Sequence, residues 1–420
     1  MSNQFSFFKN IDRTTIYLYI TLVLIGWATI YSAEFNEQYP SIFDLSQRYG
    51  KQFLWIVLAL IMGLAIFAID VKFFPAFSYI IFGGVIITLV GVLLFGVTVN
   101  ASRSWFQVGG IAMQPSEFAK YATGLAMAKL LYNNRTRQVN LKTILKPLLL
   151  LVVPMGLIFL QNDTGTTLVF SAFVLVLYRE GYIPLWMIIL GLMAIFLFIL
   201  TLLVSELYII ASIVIIFFVA AYFLKKKTAA IKQLLVIVIL LNGYVYTVGY
   251  FYDEVLMPHQ KLRIEVLLDE TVDLRGAGYN LHQSKIAIGS GGFWGQGFLQ
   301  GTQTKFNFVP EQATDFIFCT IGEEWGFVGS TALIVLYIIF LTRLVIMAER
   351  QRSVFSRVLG YSLASIIFFH FTINIGMTIG LIPVIGIPLP FISYGGSALW
   401  AFSIFLFTFL KMDSKRLDLI

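Results

Sequence analysis

Several ionisable residues stand where hydrocarbon should exclude them. Glu117 and Lys120 lie three residues apart at the start of an apolar run, so on a helix they share a face and can pair. Asp163 sits in QNDTGTT between two apolar runs, Asp315 opens another, and Glu323 and Glu324 follow about two turns further on. Charged groups inside a membrane cost several kcal/mol and by default mark a functional site. Together with Arg103, these residues could line an outward-opening polar cleft. A cleft with both signs of charge suits a substrate that carries phosphate and carbohydrate. The other reading is structural: a buried Glu117–Lys120 pair joins helices, and Glu323 and Glu324 snorkel to the interface.

Composition dictates the elements that hold these groups. Of 420 residues 59% are hydrophobic and 12% charged, against about 25% charged in soluble domains. Only lipid accommodates that much apolar surface, in helices of roughly 20 residues. Apolar runs near 14–33, 52–69, 76–97, 117–133, 143–160, 164–178, 185–204, 207–224, 234–251, 315–341, 356–376 and 397–412 predict an all-α polytopic membrane protein. It would form a single transmembrane domain, residues 1–420, with about 12 spans. No A-x-A-like cleavage site follows the first run, so the chain is expected to insert through its own first helix.

Twenty of the 29 basic residues fall on one side of this threading and eight on the other, with Lys120 inside. The positive-inside rule then puts both termini in the cytoplasm. It also puts the long segment 252–314 outside, before the tenth span, as the only non-membrane stretch large enough for a structured site. The net charge of +7 comes without a basic run interleaved with aromatics, so membrane lipid rather than nucleic acid accounts for it. The single Cys319 excludes an internal disulfide, and His259, His282 and His370 form no ligand pair.

Two irregular stretches complete the pattern. GSGGFWGQGFLQG (289–301) lacks the Gly-Lys-Ser/Thr and the preceding strand of a nucleotide loop, which leaves tightly turning backbone. NIGMTIGLIPVIGIPLPFISYGGS (374–397) is broken by Pro383, Pro388 and Pro390. Irregular backbone at membrane depth survives only inside protein or along a cavity. From the residues alone, a transporter and an enzyme acting on a lipid-linked substrate remain equally open.

Three long stretches resemble one family. NASRSWFQVGGIAMQPSEFAK (100–120) is similar to its N-x-x-R-W-x-x-x-G-x-x-x-QPSE segment. Residues 276–329, beginning GAGYNLHQSK, resemble its long external loop and following helix, and 374–399 resemble its C-terminal signature. This is the SEDS (shape, elongation, division, sporulation) family, and NIGM, PVIGIPLPF and the Ala-Leu after SYGGS look like its elongation members. The resemblance implies the SEDS fold and a peptidoglycan glycosyltransferase. Such an enzyme polymerises lipid II, a disaccharide-pentapeptide on undecaprenyl diphosphate, at the outer face of the bacterial inner membrane. It also implies partnership with a class B penicillin-binding protein transpeptidase and the elongation machinery.

In the family's D-x-x-GAGY pattern the aspartate falls on Asp273, and the resemblance gives it the role of general base. Inverting transfer from an α-linked diphosphate donor needs such a base and stabilisation of the departing diphosphate. Arg103, Lys120 and Arg275 are candidates for the latter, directly or with a divalent cation (Mg2+ or Mn2+), and no organic cofactor is implied. Glu117 would orient Lys120, Trp105 would flank the lipid entrance, and Asp163, Lys285 and Asp315 complete the expected substrate site. The family commonly has ten spans, so 185–224 reads as an extra helix pair. Gln161-Asn162-Asp163-Thr164-Gly165-Thr166 lacks the family's proline, and Gln312-Ala313 replace its Arg/Ala-His. The leading rival is a lipid II flippase, which needs polar residues along the full membrane depth. A non-catalytic scaffold is the third reading, and it leaves the intramembrane charges unexplained.

Overall fold

Peptide groups in hydrocarbon must find their hydrogen bonds within their own segment, so apolar runs of this length fold as helices. The computed structural model describes residues 10–99, 102–109, 111–134, 141–224, 228–256, 261–262, 265–266, 277–306 and 308–417. Among the described residues, ten helices are long and apolar enough to cross a membrane, and the chain is a multi-pass membrane protein.

The first half runs α1 (Arg13–Ala33), α2 (Arg48–Ala68), α3 (Phe73–Phe95), then strands β1 (Val97–Val99), β2 (Ser102–Val108) and β3 (Ile111–Met113). These strands form one antiparallel sheet in chain order, pairing Val97 with Trp105 and Phe106 with Met113. After it come α4 (Pro115–Asn133), α5 (Leu141–Leu160), α6 (Thr164–Val169) and α7 (Phe173–Arg179). The second half holds α8 (Leu185–Leu203), α9 (Glu206–Phe223), α10 (Thr228–Tyr250), α11 (Ala277–Ser290) and α12 (Thr302–Lys305). It ends with α13 (Ile317–Glu349), α14 (Val354–Thr378) and α15 (Gly396–Ser414).

Two of the twelve expected runs fall outside those ten helices, so the structure does not establish the count of twelve. The run at 117–133 forms α4, with Pro115 in its first turn and Glu117 at the positive end of the helix dipole. Small residues (Ala119, Ala122, Gly124, Ala126 and Ala128) let protein rather than lipid bury it. A Cβ at Gly124 would meet Phe405 Cζ at 2.7 Å. The run at 164–178 is two short helices, α6 and α7, joined by a 3-10 turn at Phe170–Ala172. At 1.5 Å per residue, Thr164–Arg179 falls short of a hydrocarbon core about 30 Å thick.

The helix expected at 315–341 extends to Glu349 but breaks at Gly326, whose φ of +61° and ψ of −158° suit essentially glycine alone. The break frees backbone groups, and the glycine-rich stretch satisfies them. The amides of Gln296 and Gly297 donate to the carbonyls of Glu323 and Glu324 at 3.0 and 2.9 Å. The carbonyls of Gly292 and Phe293 accept from the amides of Phe327 and Val328 at 2.9 and 3.2 Å. A Cβ at Gly295 would lie 2.1 Å from Glu324 O, so the approach excludes side chains.

The Glu323 carboxylate ties down the next turn, accepting from the amides of Gln303 and Thr304 at 2.7 and 3.0 Å. Glu324 accepts from Leu299 N at 3.0 Å and from Ser32 Oγ. Both are buried, so neither snorkels as expected; they anchor the plug that closes the broken helix.

By packing the chain divides into two units, Met1–Tyr182 with Asn280–Ile420, and Ile183–Tyr279. The second unit contains α8 and α9, the two helices of residues 185–224, together with α10. In α8 and α9 only 6% of the span is buried, as lipid-facing helices require. Tyr244 OH donates to Ala194 O at 2.9 Å and ties α10 to α8.

In the first unit, ion pairs gather at the bundle end nearest both chain termini. Asp12 caps α1 and accepts from Arg343, Arg350 bridges Asp12 and Asp413, and Arg357 reaches Glu180 at 2.7 Å. Burial works against ionisation of Asp12, but hydrogen bonds from Arg343 and Thr15 and the Arg343 charge bring its carboxyl down to about 2.

Gly326→Ala is expected to lose several kcal/mol of stability, seen as a lower melting temperature and poor recovery of monodisperse protein. Because the Asp12 pKa is depressed in the fold, its contribution is fully present above about pH 4 and disappears as pH falls toward 2. Asp12→Asn should therefore melt earlier than wild type at pH 6, by on the order of 1–2 kcal/mol, and match it near pH 2. An equal gap at both pH values would refute that role.

Candidate functional site

In its C-terminal half, helix α14 carries polar residues four apart, His370, Asn374 and Thr378, all buried. The period puts them on one face. That face meets the proline-broken segment 379–395, whose peptide groups have no helix of their own. Asn374 Nδ2 donates to the carbonyls of Ile387 and Asp315 at 2.7 and 2.8 Å, and His370 Nδ1 lies 3.0 Å from Pro388 O. Tyr337 OH donates to Pro390 O, Ser393 Oγ to Thr314 O at 2.6 Å, and Tyr394 N to Ala313 O at 2.8 Å.

His370 was the residue that sequence reasoning missed. A lone histidine carries no ligand-spacing signal; its four-residue spacing to Asn374 and Thr378 in the C-terminal half of α14 is the usable one. Facing a carbonyl, Nδ1 carries the hydrogen, which leaves Nε2 as an acceptor. Lys120 Nζ lies 2.8 Å from that Nε2 and 2.8 Å from each Glu117 oxygen. The ammonium thus has three partners for its three protons, and the Phe402 ring lies 5.0 Å away. Glu117 and Lys120 are each 2% exposed. In this geometry Lys120 has no proton left for a ligand, so the expected orienting of Lys120 by Glu117 takes the form of a closed buried triad.

Asp163 serves α6 and α4 together. Its Oδ1 caps α6 through Thr166 N at 2.9 Å, while Oδ2 accepts from Gln114 Nε2 at 3.0 Å beside the start of α4. Gln114 N in turn donates to Ser397 Oγ at 3.1 Å, linking α4 to the start of α15. The missing proline is replaced by Asn162 at φ +60°, which turns the chain into this cap.

Lys285 and Asp315 border the same irregular segment. A Cβ at Gly380 would lie 2.5 Å from Lys285 Cε, and one at Gly386 would lie 3.2 Å from Asp315 Oδ2. A Cβ at Gly165, two residues after Asp163, would meet Ile385 O at 2.5 Å. The structure therefore brings Asp163, Lys285 and Asp315 to the borders of segment 379–395, and Glu117 and Lys120 to the His370 side chain that holds it.

The remaining expected residues fall differently. Arg103 closes the C-terminal end of α3, with Nε and Nη2 donating to the carbonyls of Gly96 and Leu94 at 2.9 and 2.8 Å. Its guanidinium is exposed beyond those bonds. Trp105 is half-buried on β2. Asp273 and Arg275 lie outside the described residues. Among the described residues, no group of three or more His, Cys, Asp or Glu is gathered to hold a metal ion.

At the same end, a cleft of about 460 Å³ is lined by Glu34, Phe35, Asn36, Glu37, Gln47 and Lys305, among others. Burial raises the Glu34 carboxyl above its ordinary value, the Glu311 charge adds to this, and Arg48 at 3.0 Å opposes it.

Comparison with known proteins agrees over the whole chain. The profile of the FtsW/RodA/SpoVE family, described as cell cycle proteins, matches residues 12–215 and 184–416. The peptidoglycan glycosyltransferase RodA of Treponema pallidum is 32% identical, covering 97% of this chain and 99% of its own. The peptidoglycan glycosyltransferase MrdB of Escherichia coli is 31% identical over 93% of this chain and 90% of its own. In fold, a chain of a peptidoglycan synthase complex superposes with a TM-score of 0.72 at 24% identity, covering 97% of this chain and 99% of that one. The rod shape determining protein RodA of Thermus thermophilus gives 0.62 at 23%, covering 97% of each.

The triad makes a test of coupling. Glu117→Gln or Lys120→Met alone leaves a buried charge uncompensated and should cost about 3–5 kcal/mol, read from melting in detergent. The double substitution removes both charges and should recover most of that loss. Additive losses in the double variant would mean that the pair is not coupled.

Proposed function

From the premise that this chain belongs to the FtsW/RodA/SpoVE family, the SEDS family of cell-wall proteins, we propose that it is a peptidoglycan glycosyltransferase. The observation that carries this is end-to-end similarity, at 32% identity, to a protein of that activity. The finer reading is that it polymerises lipid II into glycan strands at the outer face of the bacterial inner membrane during elongation, with both termini in the cytoplasm. It would work beside a class B penicillin-binding protein that crosslinks the product.

The reaction joins an acceptor sugar hydroxyl to the anomeric carbon of a diphosphate-linked donor, and the diphosphate leaves from the opposite face. Asp273 takes the hydroxyl proton as the C–O bond forms. The donor's leaving oxygen becomes part of a diphosphate whose charge needs a cation. Arg275 and Lys285 are assigned to that charge. The exposed remainder of Arg103 assists, and a divalent cation, Mg2+ or Mn2+, would supply further positive charge where one binds. The Glu117–Lys120–His370 triad and Asp163 position the backbone around this site and do not contact the reacting atoms.

The placement of charge supports an enzyme over a flippase. The buried Glu117–Lys120 pair, Asp163 and Asp315 gather where α4, α6 and segment 379–395 meet, near the sheet that follows α3. At the far end of the bundle the acidic groups Asp12, Asp413 and Glu180 are already paired with arginines. A flippase needs an unspent polar path between the two ends.

The reading is tested with purified wild-type protein and Asp273→Ala, each with the cognate transpeptidase and labelled lipid II. Wild type should make glycan strands, and Asp273→Ala should lose roughly 100-fold or more of that rate at unchanged melting temperature. Strands from Asp273→Ala at the wild-type rate would remove Asp273 as the base. No strands from either protein, with lipid II still crossing vesicle membranes, would replace the enzyme with a flippase.

A further inference from the structure

The far end of α3 holds a second cleft. It encloses about 220 Å³ between the starts of α3 and α14 and the last turns of α4, and is lined by Lys72, Pro75, Ala76, Lys129, Tyr132 and Phe355. Helix α3 has 23 residues, about 34 Å, so this cleft lies a membrane thickness from the Arg103 cap at its other end. It is therefore separate from the site described above.

Its chemistry is cationic at the mouth and apolar in the wall. Lys72 immediately precedes α3, and Lys129 extends from α4 with its ammonium 5.6 Å from the Tyr132 ring. Among the described residues no carboxylate forms an ion pair with either lysine. The nearby Asp70 instead accepts from the Lys72 backbone amide at 2.8 Å. Three other cations at this end, Arg343, Arg350 and Arg357, are paired with acids.

Beside Phe355 in sequence, the hydroxyls of Ser353 and Ser356 are buried without a hydrogen-bond partner, and Ser356 is 1% exposed. Both stand at the N-terminus of α14, a 25-residue helix whose dipole favours an anion. Along α3 an apolar face runs away from the cleft through Phe73, Phe77 and Ile80, all exposed, and only 17% of that span is buried.

We propose that this cleft binds the phosphate headgroup of an anionic phospholipid, clamped between Lys72 and Lys129, with an acyl chain lying along the exposed face of α3. Two ammonium groups that form no ion pair among the described residues, one just before α3 and one on α4, complement a monoanionic phosphodiester. The continuous apolar strip favours a lipid over free phosphate, which would leave that strip unused. A lipid bridging α3 and α4 here would brace, from the opposite leaflet, the two helices that flank the sheet and Gln114.

Native mass spectrometry of the full-length protein, titrated with phosphatidylglycerol or phosphatidylcholine, tests the proposal. Wild type should retain phosphatidylglycerol preferentially, and Lys72→Gln/Lys129→Gln should bind it about ten-fold or more weakly. Lys72→Arg/Lys129→Arg should retain binding, as should Lys51→Gln/Lys305→Gln at the other end. If the double glutamine variant does not fold, Lys72→Gln alone, at an exposed position, should still weaken binding several-fold. Unchanged affinity in the folded glutamine variants, or equal retention of both lipids, overturns the site. Full displacement of phosphatidylglycerol by inorganic phosphate would make it a free-anion site and overturn the lipid assignment.

Discussion

A peptide group inside a membrane protein has no water to fall back on, and each one left unpaired costs several kcal/mol. Segment 379–395 is non-helical backbone packed among helices, and the rest of the site follows from satisfying it. Asn374 covers Ile387, His370 covers Pro388, Tyr337 covers Pro390, and Ser393 closes on Leu389 N and Thr314 O. Each donor fixes the rotation of the helix that carries it. The proline-rich segment thereby sets the register of α13 and α14, while Ser397 of α15 accepts from Gln114 N at the start of α4.

The broken α13 solves the same problem by the opposite means. There the partners are backbone groups, and their approach requires that side chains be absent at Gly291, Gly295 and Gly326. The carboxylates of Glu323 and Glu324 then hold the plug in place by accepting its amides. Around 379–395 side chains reach in to the backbone; around Gly326 the backbone comes to itself. Both devices replace helical hydrogen bonds with groups supplied by the protein itself, and both leave irregular chain where a substrate could meet backbone groups.

Much of this was legible in the residues. Apolar runs located ten spanning helices because hydrophobic length is a direct physical requirement of the bilayer. The pairing of Glu117 with Lys120 followed from helical period alone, and the three prolines of 374–397 marked the irregular segment. What stayed hidden was long-range. Nothing near His370 in sequence reveals Lys120 Nζ 250 residues away. Nothing near Glu323 reveals that it serves Gln303 and Thr304, and a lone short sheet at 97–113 has no strong alternating pattern. Arg103 shows the same limit, since a carbonyl-capping arginine and a phosphate-binding one look alike before the end of α3 is placed beside it.

The closed triad bears on how such a site divides its labour. An ammonium with three filled hydrogen-bond sites is a poor ligand for a diphosphate, because binding must first break a charge-assisted bond in a dry environment. Glu117 removes most of the net charge that would attract the anion from a distance. His370 fills the third site and passes the constraint to Pro388 O, at the centre of the irregular segment. Lys120 therefore acts on the site through geometry: it couples the first turn of α4 to segment 379–395. Under the proposed reading, the diphosphate charge then falls to cations other than Lys120. A site built this way spends its buried charge internally, so that Glu117, Lys120 and His370 serve the backbone they hold.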